Sequence, residues 1–233
     1  MSRFPACLSL SVGRVIDVVL ASVGLVVLSP LLVLIMIAIV IDTGFPIFFA
    51  QTRIAQGGRT FQMYKFRKFH PTTSAGSPLT MKHDSRMTRL GGFLASTKLD
   101  ELPQLFNIIR SDMAIVGPRP ESMAFAEAFT ARELPLLQHR PGIFGPSQVA
   151  FRNECSLYPD GKDPVQFYHE TLFPAKAALD LAYYSRRTVW GDFLWIARGI
   201  LAVLGMVPEL KLVPAASEPF DGARKMDIVI AGE

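Results

Sequence analysis

The most prominent hydrophobic segment of the chain extends from Val18 to Ile41, where no residue is charged. About 20 apolar residues are enough to cross the hydrocarbon core of a bilayer, so this segment is long enough to enter or cross a membrane. It is too long for the apolar core of a signal peptide. Pro30, preceded by Ser29, lies near its middle, and a proline inside a helix removes a hydrogen bond and bends the axis. The pattern predicts a membrane helix with a break at Ser29 and Pro30.

The charges that flank this segment leave its topology open. Positive residues mark the cytoplasmic side of a membrane protein, so a single span should have them mainly on one side. A helix that enters one leaflet, turns at Ser29 and Pro30 and returns would keep both flanks on the same side, but proline is also common in true spans. Two alternatives therefore remain, a re-entrant helix and one kinked transmembrane helix. The basic residues lie on both sides of the segment: Arg3 and Arg14 before it, and Arg53, Arg59 and Lys65 after it.

Two strands are expected after the membrane segment. Residues 43–49 contain a turn and a short apolar strand, and the residues from Phe61 to Arg67 alternate in polarity. The alternation places Lys65 and Arg67 on the same face of the second strand. Two cations on one strand face usually indicate a solvated edge, and they gain chemical interest only if that face lines a cleft.

The segment from Thr97 to Pro120 carries the densest candidate chemistry. Asp100 and Glu101 lie at the start of a predicted helix, where Asp100 can act as a cap and the helix dipole favours negative charge. Pro103 is tolerated there because the first turn needs no amide donor. The acidic pair has two interpretations. It is either an ordinary helix start or a pair of carboxylates that contacts a metal or a phosphate. Apolar residues at helical spacing predict the buried face of this helix: Leu102, Leu105, Phe106 and Ile109.

Further helices are expected towards the carboxyl end. Residues 121–137 have helical character, and another helix starts after Pro174. Residues 189–207 are strongly apolar, with Trp190 and Trp195 near the start, but Asp192 and Arg198 interrupt them. Such a segment favours a helix lying in the membrane interface over a span, and a buried core helix is the alternative.

Composition narrows the class of partner. Half of the 233 residues are hydrophobic, the mean hydropathy is +0.30, and the net charge is +4 with an isoelectric point near 9.2. A basic surface suits an anionic partner such as nucleic acid, acidic lipid or a nucleotide phosphate. The two cysteines argue against a disulfide framework, and the four histidines show no zinc-site spacing.

The ordered set of motifs resembles the bacterial sugar transferase family, the small monotopic phosphoglycosyl transferases. The resemblance covers roughly Val12 to Leu204, most of the chain. Each motif is weak alone, but the set in this order is highly specific. Besides the Ser29-Pro30 pair, the resemblance rests on Tyr64-Lys65-Phe66-Arg67, Leu99-Asp100-Glu101-Leu102-Pro103-Gln104-Leu105, Ser111-Asp112-Met113, Val116-Gly117-Pro118-Arg119-Pro120, Arg140-Pro141-Gly142-Ile143 and residues 180–184.

The resemblance implies a fold and a topology. The expected fold class is α+β and mainly helical, in a monotopic membrane protein with a re-entrant amino-terminal helix. Both ends of that helix, and a catalytic domain with short strands, would lie on the cytoplasmic face of the bacterial inner membrane. The expected division of the chain is a re-entrant helix at 12–44, a catalytic domain with interfacial amphipathic helices at 45–205, and a tail of unknown role at 206–233.

The resemblance also implies the chemistry. Enzymes of this family transfer a sugar phosphate from a nucleotide diphosphate sugar, here expected to be a UDP-sugar, to polyprenyl phosphate and so initiate the assembly of a glycan. Asp100 is the implied nucleophile, which forms a covalent aspartyl phosphosugar. Mg²⁺ held by Asp100 and Glu101 would screen the diphosphate, and Glu101 would support the metal or handle a proton.

The same resemblance implies the remaining contacts and partners. The expected partners are the nucleotide sugar, polyprenyl phosphate and membrane lipid, without nucleic acid, and a homodimer is left open. Arginines suit phosphate because their forked donors match its oxygens. The residues expected to contact substrate are Lys65, Arg67, Lys98, Arg119, Arg140 and Asp180.

The chain departs from the family pattern near the acidic pair. Members commonly carry a basic residue five places before the aspartate, where this chain has Ala95. Lys98 stands in place of a small polar residue and is a candidate to supply the lost charge. Lys68 and Phe69 stand where Ser-Met is usual, and Phe144 stands where Thr is usual. These departures concern lipid-phosphate contacts and the choice of sugar rather than the acidic pair itself.

Two other functions are compatible with the same residues. In a membrane phosphohydrolase, water would replace the lipid acceptor on the same aspartyl intermediate. In a non-catalytic membrane adaptor, Asp100 and Glu101 would merely cap a helix. The several phosphate-compatible cations favour the transferase, because an adaptor has no need of them.

Overall fold

The computed structural model describes residues 6–71, 79–81, 84–159 and 161–206, with the side chains of the first helix described from Gly13 onwards. Helices dominate and the strands are short, which confirms the predicted α+β, mainly helical class. The predicted tail at 206–233 lies outside the described residues except for Met206. The helices are α1 (Ala6–Thr43), α2 (Arg89–Thr97), α3 (Gln104–Ile109), α4 (Pro146–Ala150), α5 (Pro164–Phe167), α6 (Phe173–Tyr184) and α7 (Val189–Val203), and the strands are β1 (Phe48–Ile54), β2 (Thr60–Phe66), β3 (Ala114–Val116) and β4 (Gly142–Phe144).

The first helix, α1, is a single helix of 38 residues that contains Pro30. The segment from Gly13 to Thr43 is long enough and apolar enough to cross a membrane. Pro30 has no amide hydrogen, so the carbonyl of Val26 loses its helical donor. The hydroxyl of Ser29 donates to that carbonyl at 2.7 Å and satisfies it. The predicted break at Ser29 and Pro30 therefore does not divide the segment into two helices.

One face of α1 packs against the rest of the protein along most of its length. Ala21 is fully buried, and Gly24 lies against Leu105 of α3. Further along, Ile35 and Ile39 enter a buried cluster with residues of β2 and α2. The opposite face is apolar and exposed, so α1 is a helix with one protein-facing side and one side suited to lipid. The exposed residues of that lipid-suited face include Val19, Val23, Val26, Val27, Leu34, Ile37 and Ile41.

The amino-terminal part of α1 is bonded to the end of α3. The guanidinium of Arg14 donates to the carbonyl of Ile108 and, at 2.7 Å, to the hydroxyl of Ser111. A cation at the carboxyl end of a helix satisfies carbonyls that have no helical partner and interacts well with the helix dipole. One turn further along α1, the carboxylate of Asp17 accepts from the amide of Ile115 at 3.1 Å.

The carboxyl end of α1 is bonded to the same body. Arg67, immediately after β2, donates from Nη2 to the hydroxyl of Thr43 and, at 2.7 Å, to the carbonyl of Gly44. Its backbone amide donates to the carbonyl of Ile47 at 2.9 Å. Both ends of α1 are thus held by one domain.

The first of two small sheets contains the second predicted strand, whereas the strand predicted within 43–49 lies later in the chain, as β1. β1 and β2 pair antiparallel from Phe48 opposite Phe66 to Ile54 opposite Thr60, which confirms the strand predicted over 61–67 to within a residue. The fully buried amide of Asn107 in α3 accepts from the amide of Tyr64 at 3.0 Å and donates to the carbonyl of Gln62 at 2.7 Å. This side chain fixes α3 against β2, and with it the turn that precedes α3.

The second sheet is the parallel pair of β3 and β4. Gly117, directly after β3, packs closely on the residues that lead into β4. A Cβ at Gly117 would lie 2.1 Å from the carbonyl oxygen of Arg140. Because the obstacle is backbone rather than a flexible side chain, only glycine fits at this position. The close approach brings the Pro118-Arg119-Pro120 segment against the loop that begins at Arg140.

The helical character predicted over 121–137 is present, but not as one continuous helix. The structure has two 3₁₀ segments there, Met123–Ala128 and Leu134–Gln138, separated by a turn. Phe125 has φ −114° and ψ 18°, outside the helical region, and its side chain is buried with Tyr168 and Phe173. Packing of Phe125 into this cluster therefore outweighs the local helical preference.

The predicted helix over 189–207 is confirmed as α7. Gly199 packs against the ring of Phe144, where a Cβ would lie 2.1 Å from a ring carbon, and Ala202 is buried. The opposite side exposes 84% of Trp190 and half of Leu194. This exposure excludes the alternative of a buried core helix, since only one side of α7 faces the protein.

Candidate active site

The acidic pair lies in a tight turn between two helices. α2 ends at Thr97, and Lys98 takes a left-handed conformation with φ 61°. The 3₁₀ turn Leu99–Glu101 follows, and α3 begins only after Pro103. Asp100 is therefore not the cap of α3, contrary to the prediction. Its carboxylate does not cap α3 through a hydrogen bond and remains available for another partner.

Asp100 is a buried carboxylate with an unused oxygen. The residue is 2% exposed, and Oδ1 has no hydrogen-bond partner. Oδ2 faces the ammonium of Lys68 at 3.9 Å. Burial raises the pKa of Asp100, and the positive charge of Lys65 opposes that rise without cancelling it. A buried polar atom without a hydrogen-bond partner destabilises the fold. The unpartnered Oδ1 therefore indicates a functional role for Asp100 rather than a structural one.

Glu101 is held in its ionised form. Its Oε1 accepts from Nζ of Lys65 at 2.7 Å. Burial acts to raise the pKa of Glu101, but the charges of Lys65, Arg119 and Lys98 outweigh it and leave the pKa well below its usual range. Glu101 is therefore negatively charged at neutral pH, which suits a metal ligand better than a proton donor.

Three lysines converge on this pair from different parts of the chain. Lys65 comes from β2, Lys68 follows β2, and Lys98 follows α2, and the charges of all three act on Asp100. Burial lowers the pKa of Lys68 and of Lys98, and nearby carboxylates partly offset this. The three lysines outnumber the two carboxylates, so the site has an excess of positive charge and attracts further anions.

Arg119 connects the acidic pair to a second polar cluster. Burial acts to lower the pKa of Arg119, but the charges of Glu154, Glu101 and Glu121 more than compensate and leave the pKa raised. The Arg119 side chain is therefore a permanent cation between Glu101 and the second cluster. A small cavity of about 30 Å³ lies beside it, lined in part by Glu121, Lys176 and Asp180.

The second cluster consists of residues that the sequence did not single out. The hydroxyl of Tyr168 donates to Glu121 at 2.5 Å, and Lys176 donates to Glu154 at 2.5 Å. Tyr158 also donates to Glu154, at 2.8 Å. These residues are spread over four segments with no shared spacing, so no sequence motif marks them, and only packing shows that they support Arg119.

Asp180 is engaged inside the protein. Its carboxylate accepts from the amide of Ser147 at 3.0 Å and from the hydroxyl of Ser147 at 2.8 Å, and it also accepts from the backbone amide of Arg119. Burial raises the pKa of Asp180 to about 7. In this position Asp180 joins α6, α4 and the Arg119 segment, so it orients Arg119 through the backbone.

The remaining predicted substrate contacts are not brought together with the acidic pair. Arg67 is 8% exposed and donates to Thr43 and Gly44 at the end of α1. The charge of Arg140 acts on Arg14 and Asp17 of α1. The structure therefore gathers Lys65, Lys98 and Arg119 from the predicted set, adds Lys68, and separates Arg67 and Arg140 from them.

Comparison with known proteins identifies the family and several relatives of this chain. A family model described as bacterial sugar transferase matches residues 8–206. A UDP-glucose:undecaprenyl-phosphate glucose-1-phosphate transferase of Caulobacter vibrioides is 33% identical over 196 residues, which are 82% of this chain and 69% of that protein. An enzyme of the same description from Xanthomonas campestris pv. campestris is 36% identical over 81% of this chain and 38% of its own length.

A third relative differs in its sugar. The UDP-N-acetylgalactosamine-undecaprenyl-phosphate N-acetylgalactosaminephosphotransferase of Aeromonas hydrophila is 30% identical over 87% of this chain. The chain spans less than half of the length of the Aeromonas and Xanthomonas relatives, 46% and 38% respectively. Since the match to the family model covers most of the chain, the protein belongs to the bacterial sugar transferase family.

Proposed function

We propose that this protein transfers a sugar phosphate from a UDP-sugar to undecaprenyl phosphate, releases UMP and so initiates the assembly of a glycan. The observation that carries the proposal is the buried carboxylate of Asp100, which has one unpartnered oxygen and three lysines around it. The relatives are named for UDP-glucose or UDP-N-acetylgalactosamine as donor and undecaprenyl phosphate as acceptor, which supports the substrate classes.

The proposed reaction has two displacements at one phosphorus atom. In the first, Oδ1 of Asp100 attacks the sugar-linked phosphorus, and the bond from that phosphorus to the bridging oxygen breaks. UMP leaves with that oxygen and its electron pair, and Asp100 carries the sugar phosphate. In the second, an oxygen of undecaprenyl phosphate attacks the same phosphorus and the bond to Asp100 breaks. A carboxylate suits this role because the acyl phosphate divides one difficult step into two easier ones.

The cations of the site make the first displacement possible. An aspartate that attacks a diphosphate must bring two anions together, and this repulsion is offset only by positive charge placed beforehand. Lys65 bonds Glu101 and so keeps that carboxylate oriented, and the charge of Arg119 also acts on Glu101. In the proposed complex, Arg119 binds a phosphate of the donor through its forked donors.

Mg²⁺ is the proposed cofactor, and the residues present fit it. Within the described residues no group of three or more His, Cys, Asp or Glu side chains could hold a metal alone. Magnesium in phosphoryl-transfer sites is bound by only one or two carboxylates together with substrate phosphates, so such a group is not required. The carboxylate of Asp100, which is buried and not fully hydrogen-bonded, and the ionised Glu101 would hold it. When bound, it would neutralise charge on the diphosphate.

We further propose that α1 is re-entrant and that the catalytic domain faces the cytoplasm. Arg14 and Thr43 lie about 44 Å apart along a straight helix, farther than the roughly 30 Å thickness of the hydrocarbon core. Both residues are bonded to the same domain, so a straight crossing would draw that domain through the bilayer. A helix whose exposed apolar face enters one leaflet keeps both ends on one side.

The topology is tested by labelling single cysteines at Ser2, which lies outside the described residues, and at Thr60. In a variant without Cys7 and Cys155, both positions are expected to resist an impermeant thiol reagent in intact cells, because both lie on the cytoplasmic side. Both should be labelled after permeabilisation, which is the control for reactivity. Labelling at position 2 but not at position 60 in intact cells would establish a simple span.

The reaction is tested by nucleotide release from a panel of nucleotide sugars, with and without undecaprenyl phosphate. The purified protein is expected to release UMP and to form a lipid-linked sugar only when the acceptor is present. Continuous UMP release without acceptor would instead identify a phosphohydrolase. The absence of turnover with every donor would favour the non-catalytic adaptor. The structure argues against the adaptor, because that function gave Asp100 a capping role and Asp100 does not cap α3.

A further inference from the structure

The backbone of Lys68 is fixed by the start of α2. Its carbonyl accepts from the amide of Thr88, the cap of α2, at 3.0 Å. Gly91 packs on the same carbonyl, so that a Cβ at Gly91 would lie 2.0 Å from the carbonyl oxygen of Lys68. Asp100 follows the other end of the same short helix. The separation between Lys68 and Asp100 is therefore set by α2 rather than by a loop.

The ammonium of Lys68 is close to the nucleophile but is not committed to it. Its Nζ lies 3.9 Å from Oδ2 of Asp100, which is an ion-pair distance and too long for a hydrogen bond. The side chain is 20% exposed, and Nζ also lies 5.3 Å from the centre of the Phe69 ring, a contact that uses none of its hydrogen-bond donors. Lys65, in contrast, is bonded to Glu101 at 2.7 Å. Lys68 thus keeps its donors for an incoming ligand.

We propose that Lys68 is a catalytic residue that binds the phosphate attacked by Asp100. The inference rests on the proposed function and goes beyond it, because it assigns the transferred phosphate to one side chain. A phosphate oxygen that enters beside Asp100 meets a partly buried cation with free donors. The interaction strengthens as the phosphorus gains a bond to Oδ1, because negative charge collects on the equatorial oxygens.

Lys68 also offsets the charge of the two anions that must meet. The charged groups that face Asp100 are Lys65 from β2, Glu101 from its own turn, Lys68 from the end of β2 and Lys98 from the end of α2. Removing one cation from this set leaves the repulsion between Asp100 and the entering phosphate less well offset. The loss should therefore appear in kcat/KM for the donor and should be recovered by a substitution that keeps the positive charge.

The test compares Lys68→Met with Lys68→Arg in the transfer assay. Lys68→Met keeps the length and apolar stem of the side chain and is expected to lower kcat/KM for the donor about 100-fold, the usual cost of one lost charge-stabilising donor. Lys68→Arg keeps the charge and should retain activity within about tenfold. Lys162→Met, at an exposed position, is the matched control and should behave as wild type.

The outcomes separate the two proposals. An inactive wild-type protein on every donor would overturn the proposed function and this inference together. An active wild type with Lys68→Met within threefold of it would overturn the role of Lys68 alone. Thermal melting shows whether each variant is folded. If Lys68→Met unfolds at assay temperature, Lys68→Gln takes its place, and the same activity criterion decides.

Discussion

Replacement of Asp100 by Asn is expected to reduce sugar-phosphate transfer by about 10⁴-fold or more, the scale seen when a catalytic nucleophile is removed. The amide has nearly the shape of the carboxylate but cannot accept a phosphoryl group as a stable acyl phosphate. The fold should survive, because a neutral amide costs less to bury than a carboxylate with an unpartnered oxygen. The assay is lipid-linked product formed from a donor labelled in the sugar-linked phosphate.

The same labelled donor tests the covalent step directly. Without acceptor, the wild-type protein should retain label after denaturation, and Asp100→Asn should retain none. Asp42→Asn is the matched control, because it makes the same chemical change at an exposed position near the end of α1. Near wild-type turnover by purified Asp100→Asn would show that the transfer does not pass through this carboxylate.

Removal of divalent cations is expected to abolish transfer, and Mg²⁺ should restore it. The site holds more positive than negative side chains, but the donor brings the charge of a diphosphate and the acceptor that of a second phosphate. A divalent ion held by Asp100 and Glu101 would supply the missing charge. The measurement is UMP release after exhaustive chelation, followed by titration with Mg²⁺ and with Mn²⁺, which should restore activity only in part.

Glu101→Gln provides the internal comparison for the metal. Glu101 is ionised at neutral pH, so the amide removes a charge from the proposed metal site while keeping an oxygen for Lys65 to contact. Activity should be severely impaired and should need a higher Mg²⁺ concentration for its half-maximal value. Full activity of the wild-type protein after chelation would remove the metal from the mechanism.

Local patterns in the sequence were sufficient to predict the helices and strands whose formation depends mainly on residues close together in the chain. The uncharged segment 18–41 predicted α1, the alternation at 61–67 predicted β2, and the interrupted apolar segment 189–207 predicted α7. Each signal is a hydrophobic period that the element itself must satisfy. The ordered motifs were also sufficient for the family, since a motif depends only on residue identity and order.

Local preference was not sufficient where packing or a side-chain contact decides the backbone. Residues 123–138 form 3₁₀ segments because Phe125 is drawn into a buried aromatic cluster. Asp100 does not cap α3, because Lys98 turns in the left-handed conformation and places the acidic pair in a turn of its own. The helix continues through Pro30 because the hydroxyl of Ser29 satisfies the carbonyl of Val26.

The sequence by itself determined the membrane helix, the family and the identity of the acidic pair, since these depend on composition and local order. Only the tertiary structure decided which cations serve that pair. Lys65 and Arg67 are two residues apart, yet Lys65 bonds Glu101 and Arg67 bonds the end of α1. Lys68 reaches Asp100 because α2 packs on its backbone through Gly91. Such contacts join residues far apart in the chain, and their geometry follows from how helices and strands pack, which no local pattern contains.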